Sequence, residues 1–211
     1  MPKSILEAQK DEIQARDAQV SQYDSNGFLS LFGKVEIPMT VSRLDLQRGD
    51  LLLEAGCGTG RMTLTFSASV REQVSADFSF ASLCAAQAKA EAAGATNIHF
   101  IQADLCNLPL ADAIFDRVVS CQVLEHVPGA EARAKAVASL GRVAKPGART
   151  VISGYRYSRL MGAKEGRHDG GIPFYRFSRQ EFVELIGTKF KVESVTGSLG
   201  YLYLARGSKS G

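Results

Sequence analysis

Three glycines at alternate positions, Gly56, Gly58 and Gly60, follow an apolar run at 51–53 and the carboxylate of Glu54. Glycine has no Cβ, so this spacing lets the backbone bend sharply and keeps side chains from separating it from a bound ligand. A strand that ends in such a turn beside an acidic residue suits a nucleoside cofactor held at the carboxyl ends of a parallel sheet. An ordinary strand-to-helix turn has the same pattern, so the rest of the chain must decide between the two.

The residue after the third glycine narrows the choice of ligand. The dinucleotide-binding fingerprint requires glycine or alanine at the position occupied by Arg61. A phosphate-binding loop requires Gly-Lys followed by Ser or Thr, and the chain has Gly60-Arg61-Met62 instead. The turn therefore predicts a nucleoside ligand without a pyrophosphate.

Two aspartates follow later strand-like runs. Asp77 closes the second run, where an acidic residue accepts hydrogen bonds from ribose hydroxyls in nucleotide-binding sheets. The same position also suits the start of a helix, for which Ser79 is a good N-cap, and both roles can hold together. Asp104 follows the third run, from which a side chain can reach the edge of a base; alternatively it is an ordinary loop carboxylate.

The elements that position these residues alternate along the chain. Apolar stretches typical of strands lie at 50–55, 72–77, 97–102, 115–121 and 148–154. Helical stretches lie among them at 60–69, 79–93 and 130–144. Strands joined by helical crossovers form a parallel, doubly wound sheet with right-handed connections. We therefore expect Glu54, Asp77 and Asp104 to converge at one edge of the sheet.

The two ends of the chain depart from this alternation. After a helix at 178–187, two β-like runs at 190–196 and 201–205 are joined by a short glycine-containing connection. So short a connection predicts a hairpin, which makes at least one late strand antiparallel. At the other end, helices at 4–22 and 36–47 predict an N-terminal segment, residues 1–47, that is either a lid over the cofactor or a cap on the sheet edge.

Composition limits the class of protein. With 211 residues, 45% hydrophobic and 22% charged, the chain is expected to be one globular domain, 1–211. A net charge of +3 gives no support for a nucleic-acid surface. Four cysteines without a Cys-x-x-Cys pair predict reduced thiols in a cytoplasmic protein, and three scattered histidines offer no zinc site. We expect neither integral membrane association nor a signal peptide.

Five motifs in order resemble those of the class I S-adenosylmethionine-dependent methyltransferases. They are Glu54–Gly60, Asp77-Phe78-Ser79, Asp104–Pro109 with Phe115-Asp116, Val123–Val127, and Lys145-Pro146-Gly147. The resemblance is strongest to the small-molecule branch that includes ubiquinone and menaquinone biosynthesis methyltransferases. It implies a Rossmann-like methyltransferase fold, with a seven-stranded, mostly parallel sheet and an antiparallel C-terminal strand. It also implies methyl transfer from S-adenosylmethionine to a small-molecule acceptor, with S-adenosylhomocysteine as product.

The same resemblance implies roles for individual residues. The turn, with Gly56, Cys57, Gly58 and Gly60, would pack against the methionine part of the cofactor, and Glu54 would hold the turn and contact the amino group. Asp77 would bind the ribose hydroxyls while Phe78 lies along the adenine. Asp104, beside the Leu105 backbone, would accept from the adenine amino group. The methionine end would meet the residues that end the fourth strand, Cys121 and Gln122.

The residues that would contact the methyl acceptor are predicted from less specific features. His126 follows the fourth strand, with Glu125 beside it, and is either a general base or a residue that packs against the sheet. The segment 155–177 mixes aromatic residues with cations, and we interpret it as an acceptor-side loop insertion. Such a rim suits an anionic or aromatic acceptor, although a solvated glycine-rich loop has the same composition.

Other reactions fit the sequence less well. The Asn/Asp-Pro-Pro-Tyr/Phe signature of enzymes that methylate amino nitrogens of adenine is absent, and no cysteine follows a proline as in cytosine methyltransferases. A nicotinamide-dependent oxidoreductase is disfavoured by Arg61 and by the lack of a Tyr-x-x-x-Lys pair. A non-catalytic cofactor-binding or scaffold protein remains an alternative, and the methylated atom (O, C or N) remains open.

Overall fold

A computed structural model describes residues 27–168, 171–198 and 200–210 of the chain. Its centre is a seven-stranded sheet in the order β3-β2-β1-β4-β5-β9-β8. The strands are β1 (Leu51–Ala55), β2 (Glu72–Asp77), β3 (Ile98–Gln102), β4 (Phe115–Ser120), β5 (Ala144–Tyr155), β8 (Phe190–Ser198) and β9 (Leu202–Lys209). A separate two-stranded ribbon contains β6 (Glu165–Arg167) and β7 (Pro173–Tyr175).

The strand directions confirm the predicted sheet. β1 pairs in parallel with β2 and β4, β2 with β3, and β4 with β5. The C-terminal strand β9 is antiparallel to both of its neighbours, β5 and β8. β9 lies between β5 and β8, so the hairpin adds two strands to one side of the sheet. The predicted strands are thus all present. β9 is longer than predicted because it pairs with β5 along 202–208, and β5 begins earlier than predicted, where Ala144 pairs with Phe115 of β4.

Five α-helices are described: α1 (Gly27–Leu44), α2 (Thr63–Ser67), α3 (Phe80–Ala92), α4 (Ala130–Val143) and α5 (Arg179–Gly187). The prediction of a helix at 36–47 was wrong in both bounds, because α1 begins at residue 27 and ends at residue 44. α2 is shorter than the predicted 60–69 because the glycine turn occupies the residues before it. Ser79 caps α3 as expected, since its Oγ accepts from the Ser82 N–H at 3.1 Å. The helix predicted at 4–22 lies outside the described residues.

The sheet is covered on both faces. Consecutive side chains of β1 point to opposite faces, because Leu52 belongs to one core cluster and Leu53 to the other. The smaller cluster contains Leu44 of α1 and Phe66 of α2, and the larger contains residues of α4 and α5. α1 and α2 therefore cover one face, and α4 and α5 the other, as a doubly wound sheet requires.

The segment 155–177 has structure of its own. A 3₁₀ turn at Arg159–Met161 precedes the ribbon formed by β6 and β7. The ribbon lies against the 3₁₀ turn Leu124–His126, where the Pro173 carbonyl of β7 contacts a side chain. Among the described residues, no helix combines the length and the apolar content that crossing a membrane requires.

Candidate active site

The glycine turn adopts the backbone conformation that its sequence predicts. Gly56, Gly58 and Gly60 have φ of 81°, 54° and 83°, in the left-handed region that side chains disfavour. A Cβ at Gly56 would lie 2.2 Å from Cγ2 of Val123, and one at Gly60 would lie 3.0 Å from Cβ of Ala86. At Gly58, by contrast, no atom lies within 4 Å of the Cβ position. Two of the glycines thus allow close packing, and the middle one leaves open space.

Asp77 holds the turn to the start of α3. Its Oδ2 accepts from the Gly58 N–H at 2.8 Å, and its Oδ1 accepts from the Ser79 N–H at 3.0 Å. The side chain is buried. These two bonds give the Asp77 carboxylate a structural role that does not depend on a bound ligand. The two oxygens of a carboxylate offer about four acceptor positions, so the bonds are compatible with the ribose-binding role, which stays a prediction.

A small crevice lies where β1, β2 and β3 end. It is lined by Ala55, Gly56, Ala76, Asp77, Phe78, Ala103, Leu105, Leu108 and Val123. Four of the predicted cofactor residues, Gly56, Asp77, Phe78 and Leu105, are therefore brought together. Asp104 lies between two lining residues, is exposed, and caps the next 3₁₀ turn by accepting from the Cys106 N–H at 2.8 Å.

Glu54 is turned into the protein interior. Its Oε2 accepts from Thr63 Oγ1 at 2.7 Å, from Gln73 Nε2 at 2.9 Å and from Ser75 Oγ at 3.0 Å. Burial raises the pKa of this carboxyl to about 7, although the hydrogen bonds oppose the shift. The network ties β1 to β2 and α2, which agrees with the expected role in holding the turn. A contact with the cofactor's amino group stays a prediction.

A second buried carboxylate, Glu36 of α1, was missed by the sequence reasoning. Its Oε2 accepts from the Arg61 guanidinium at 2.9 Å and from Gln122 Nε2 at 2.5 Å, and its Oε1 accepts from Ser153 Oγ at 3.0 Å. Glu36 itself is completely buried. A signal was present, because Glu36 is the one acidic residue among the apolar residues Val35, Ile37 and Met39.

The two cysteines predicted to contact the cofactor are free thiols, of which Cys57 is buried and Cys121 is partly buried. Cys57 lies inside the turn, and burial raises its pKa well above the ordinary value. Cys121 follows β4 and lies 3.9 Å from the Thr40 hydroxyl of α1, measured from Sγ to Oγ1. Burial raises the pKa of Cys121 as well, with the nearby Glu36 carboxylate acting in the same direction. Thiols with raised pKa are poor nucleophiles at neutral pH. Neither cysteine lines the crevice, so their contact with the cofactor stays a prediction.

His126 lies beneath the β6–β7 ribbon. Its Nδ1 is 2.8 Å from the Pro173 carbonyl oxygen, which can only accept, so Nδ1 carries a proton. The ring packs edge-on against Tyr155, with centroids 5.5 Å apart, and lies 5.9 Å from the His168 ring. The packing role is therefore present in the structure, and the role of general base stays a prediction.

Several cations of the predicted rim are engaged with aromatic or acidic groups. Lys164 donates to Glu181 Oε1 at 2.5 Å, and Arg176 stacks 4.4 Å above the centre of the Phe174 ring. From α4, Arg133 stacks 4.2 Å above the Tyr175 ring. The contacts of Lys164 and Arg133 join this segment to α5 and α4. In the described ranges, no cluster of three or more His, Cys, Asp or Glu is arranged to bind a metal ion.

Known proteins resemble this chain in sequence and in fold. A methyltransferase domain model matches residues 53–152. A demethylmenaquinone methyltransferase from Corynebacterium urealyticum is 32% identical over 165 residues, covering 77% of this chain and 67% of that protein. The chain belongs to the class I S-adenosylmethionine-dependent methyltransferases. A demethylmenaquinone methyltransferase from Shouchella clausii is 36% identical over 115 residues, and the chain spans about half of its length, 48%.

Among solved structures, this class I chain resembles a Burkholderia thailandensis 1,6-didemethyltoxoflavin-N1-methyltransferase. That structure contains 1,6-didemethyltoxoflavin and S-adenosylhomocysteine. The TM-score is 0.80, the match covers 100% of this chain and 92% of the other, and the sequence identity is 16%. At this identity the likeness establishes the fold and not the substrate.

Proposed function

We propose that this chain transfers a methyl group from S-adenosylmethionine to a small-molecule acceptor. The observation that carries the proposal is the junction of the glycine turn with Asp77 at the carboxyl ends of β1 and β2, in a chain of this family. The residues fit the adenosine of the cofactor. Space is open at Gly58, the crevice walls are largely apolar as an adenine ring requires, and carboxylates border it.

Each residue of the site has a proposed task. Asp77 binds the ribose hydroxyls, Phe78 and Leu105 enclose the adenine, and Asp104 accepts from its amino group. Glu54 and Cys57 hold the glycine turn, and Cys121 and Gln122 form the wall at the methionine end. When bound, S-adenosylmethionine supplies a methyl group on a cationic sulfur that a nucleophile can displace in line. The chain itself contributes orientation and exclusion of water, and orientation alone can lower a barrier by about 7–11 kcal/mol.

We further propose an aromatic acceptor of the quinone type. The names of the similar proteins support it, because they act on demethylmenaquinone. The aromatic rings beside the site, Tyr155, His126, His168 and Phe174, support it as well, since flat rings stack on one another. In this proposal segment 155–177 forms the acceptor side and the N-terminal segment 1–47 covers the cofactor. His126 removes a proton where the acceptor carries one.

Calorimetry and a transfer assay test the proposal together. We expect S-adenosylhomocysteine to bind and NAD not to bind. We also expect labelled methyl to move from S-adenosylmethionine to a demethylated quinone precursor within a panel of phenolic and amine acceptors. The Asp77→Ala variant is the control, because it should lose cofactor affinity. Binding without transfer to any acceptor would favour a non-catalytic cofactor-binding protein, and binding of NAD alone would overturn the proposal.

A further inference from the structure

The hydrogen bonds of Glu36 join four separate parts of the chain. Glu36 belongs to α1, Arg61 follows the glycine turn, Gln122 follows β4, and Ser153 belongs to β5. The Arg61 guanidinium compensates the charge of this fully buried carboxylate. α1 is therefore connected through one side chain to the turn and to the residues at the end of β4.

Gln122 is held at both its backbone and its side chain. Its backbone is left-handed, with φ of 58°, which is uncommon for a residue other than glycine. Its N–H donates to Ser153 Oγ at 3.0 Å, and its Nε2 donates to Glu36. Because a carboxylate can only accept, the bond to Glu36 fixes which end of the amide is nitrogen. The amide oxygen is thereby presented on the side away from Glu36.

The position of Gln122 places it beside the glycine turn. The next residue, Val123, packs directly on Gly56, and β4 pairs with β1, which leads into the turn. A donor at the methionine end of a bound cofactor could approach Gln122 Oε1, because the Nε2 of the same amide is the atom that faces Glu36. The α-ammonium of an amino acid is such a donor, and a hydrogen bond from a charged donor is stronger than one from a neutral donor.

We propose that Glu36 is a positioning residue that orients the Gln122 amide so that its oxygen accepts a hydrogen bond from the α-ammonium of the cofactor's methionine end. The inference rests on the proposed function, because it presupposes that the cofactor binds at this turn. It makes α1 a part of the binding site. It also assigns the amino-group contact to Gln122 instead of Glu54, because Glu54 is buried and its Oε2 accepts from three internal donors.

Two ligands separate this role from a general effect on the fold. S-adenosylhomocysteine carries the amino-acid end, and 5′-methylthioadenosine shares its adenosine and sulfur but lacks that end. Calorimetric affinities for both are measured with the full chain and with Gln122→Met, which removes the amide at similar size. A charge-assisted hydrogen bond predicts that the variant binds S-adenosylhomocysteine about tenfold to a hundredfold more weakly, with methylthioadenosine affinity unchanged.

Substitutions at Glu36 test the positioning. The double variant Glu36→Met/Arg61→Met removes the pair without leaving one buried charge alone. It should lower the ratio of S-adenosylhomocysteine affinity to methylthioadenosine affinity. Glu36→Gln should preserve it, because the glutamine oxygen can still accept from Arg61 and Gln122. The control is Arg43→Met on the same helix, which removes a bond of 3.1 Å to Thr196 and should leave the ratio unchanged.

The outcomes are distinguishable. Equal losses for both ligands in Gln122→Met, or no loss, would overturn the inference, and thermal unfolding shows whether each variant is folded. If the double variant does not fold, Gln122→Met and Glu36→Gln decide the question. If the parent chain binds neither ligand, the proposed function fails instead.

Discussion

The buried carboxyl of Glu54 predicts a specific dependence of stability on pH. Its pKa is raised from 4.5 to about 7 in the folded chain, chiefly by burial. Below pH 4.5 the group is protonated in the folded and the unfolded states, so its contribution to stability is complete there. Between pH 4.5 and about 7 the unfolded state releases the proton while the folded state retains it. Rising pH therefore favours unfolding across this window.

The size of the effect follows from the pKa difference. A difference of about 2.5 units, at about 1.4 kcal/mol per unit, corresponds to a loss of about 3 kcal/mol across the window. Glu54→Gln resembles the protonated form and keeps an oxygen for Thr63, Gln73 and Ser75. We therefore expect the difference in unfolding free energy between variant and parent to change by about 2.5 kcal/mol between pH 5 and pH 8, because part of the loss has already occurred at pH 5.

Urea unfolding at intervals of one pH unit measures this difference, and subtracting the parent curve removes the contribution of other titrating groups. The matched control is Glu131→Gln, which changes an exposed glutamate paired with Lys135 at 2.9 Å. Exposed pairs of this kind contribute little to stability. Parallel pH profiles for the parent and Glu54→Gln would refute the assignment of a raised pKa to this carboxyl.

Three further predictions concern the site. Asp77→Asn should weaken S-adenosylhomocysteine binding in calorimetry by about tenfold to a hundredfold, because a charged acceptor becomes neutral; an unchanged affinity would remove Asp77 from the ribose site. Gly56→Ala should destabilise the fold by about 2–5 kcal/mol in urea unfolding, since it adds left-handed strain to overlap with Val123. The Gly56→Ala/Val123→Ala double variant should then lose less unfolding free energy than the sum of the losses of the two single variants, and strict additivity would contradict the packing. His126→Ala should lower turnover by about 10²–10⁴-fold at unchanged cofactor affinity if His126 is a base, whereas normal turnover would leave it a packing role.

The central part of the fold could be predicted because its signals are local. One strand–helix–strand unit contains the end of β1, the glycine turn and Asp77. The spacing of the three glycines in the sequence indicates the turn directly. The first part of α1 was missed because Gly27 and Gly33 are poor helix formers, while packing of residues such as Leu44 against the sheet stabilises the helix. Tertiary contacts of that kind leave little trace in a short stretch of sequence.

The Glu36 cluster could not be predicted for a related reason. Its partners Arg61, Gln122 and Ser153 lie 25, 86 and 117 residues away along the chain. A lone glutamate in an apolar helix indicates that something compensates its burial, but the identity of the partners depends on how α1 crosses the sheet. The place of Asp77 at the end of β2 was predictable, whereas its bond to Gly58 required the actual conformation of the turn.

The attachment of α1 through Glu36 has a consequence for engineering within the family. The domain match covers residues 53–152 and so excludes both α1 and the ribbon. A chimera that borrowed the first helix from a relative would bring a foreign side chain to face Arg61 and Gln122. Such a graft should succeed only when the donor helix carries a carboxylate or an amide at the place of Glu36, so compatibility can be screened from that single position.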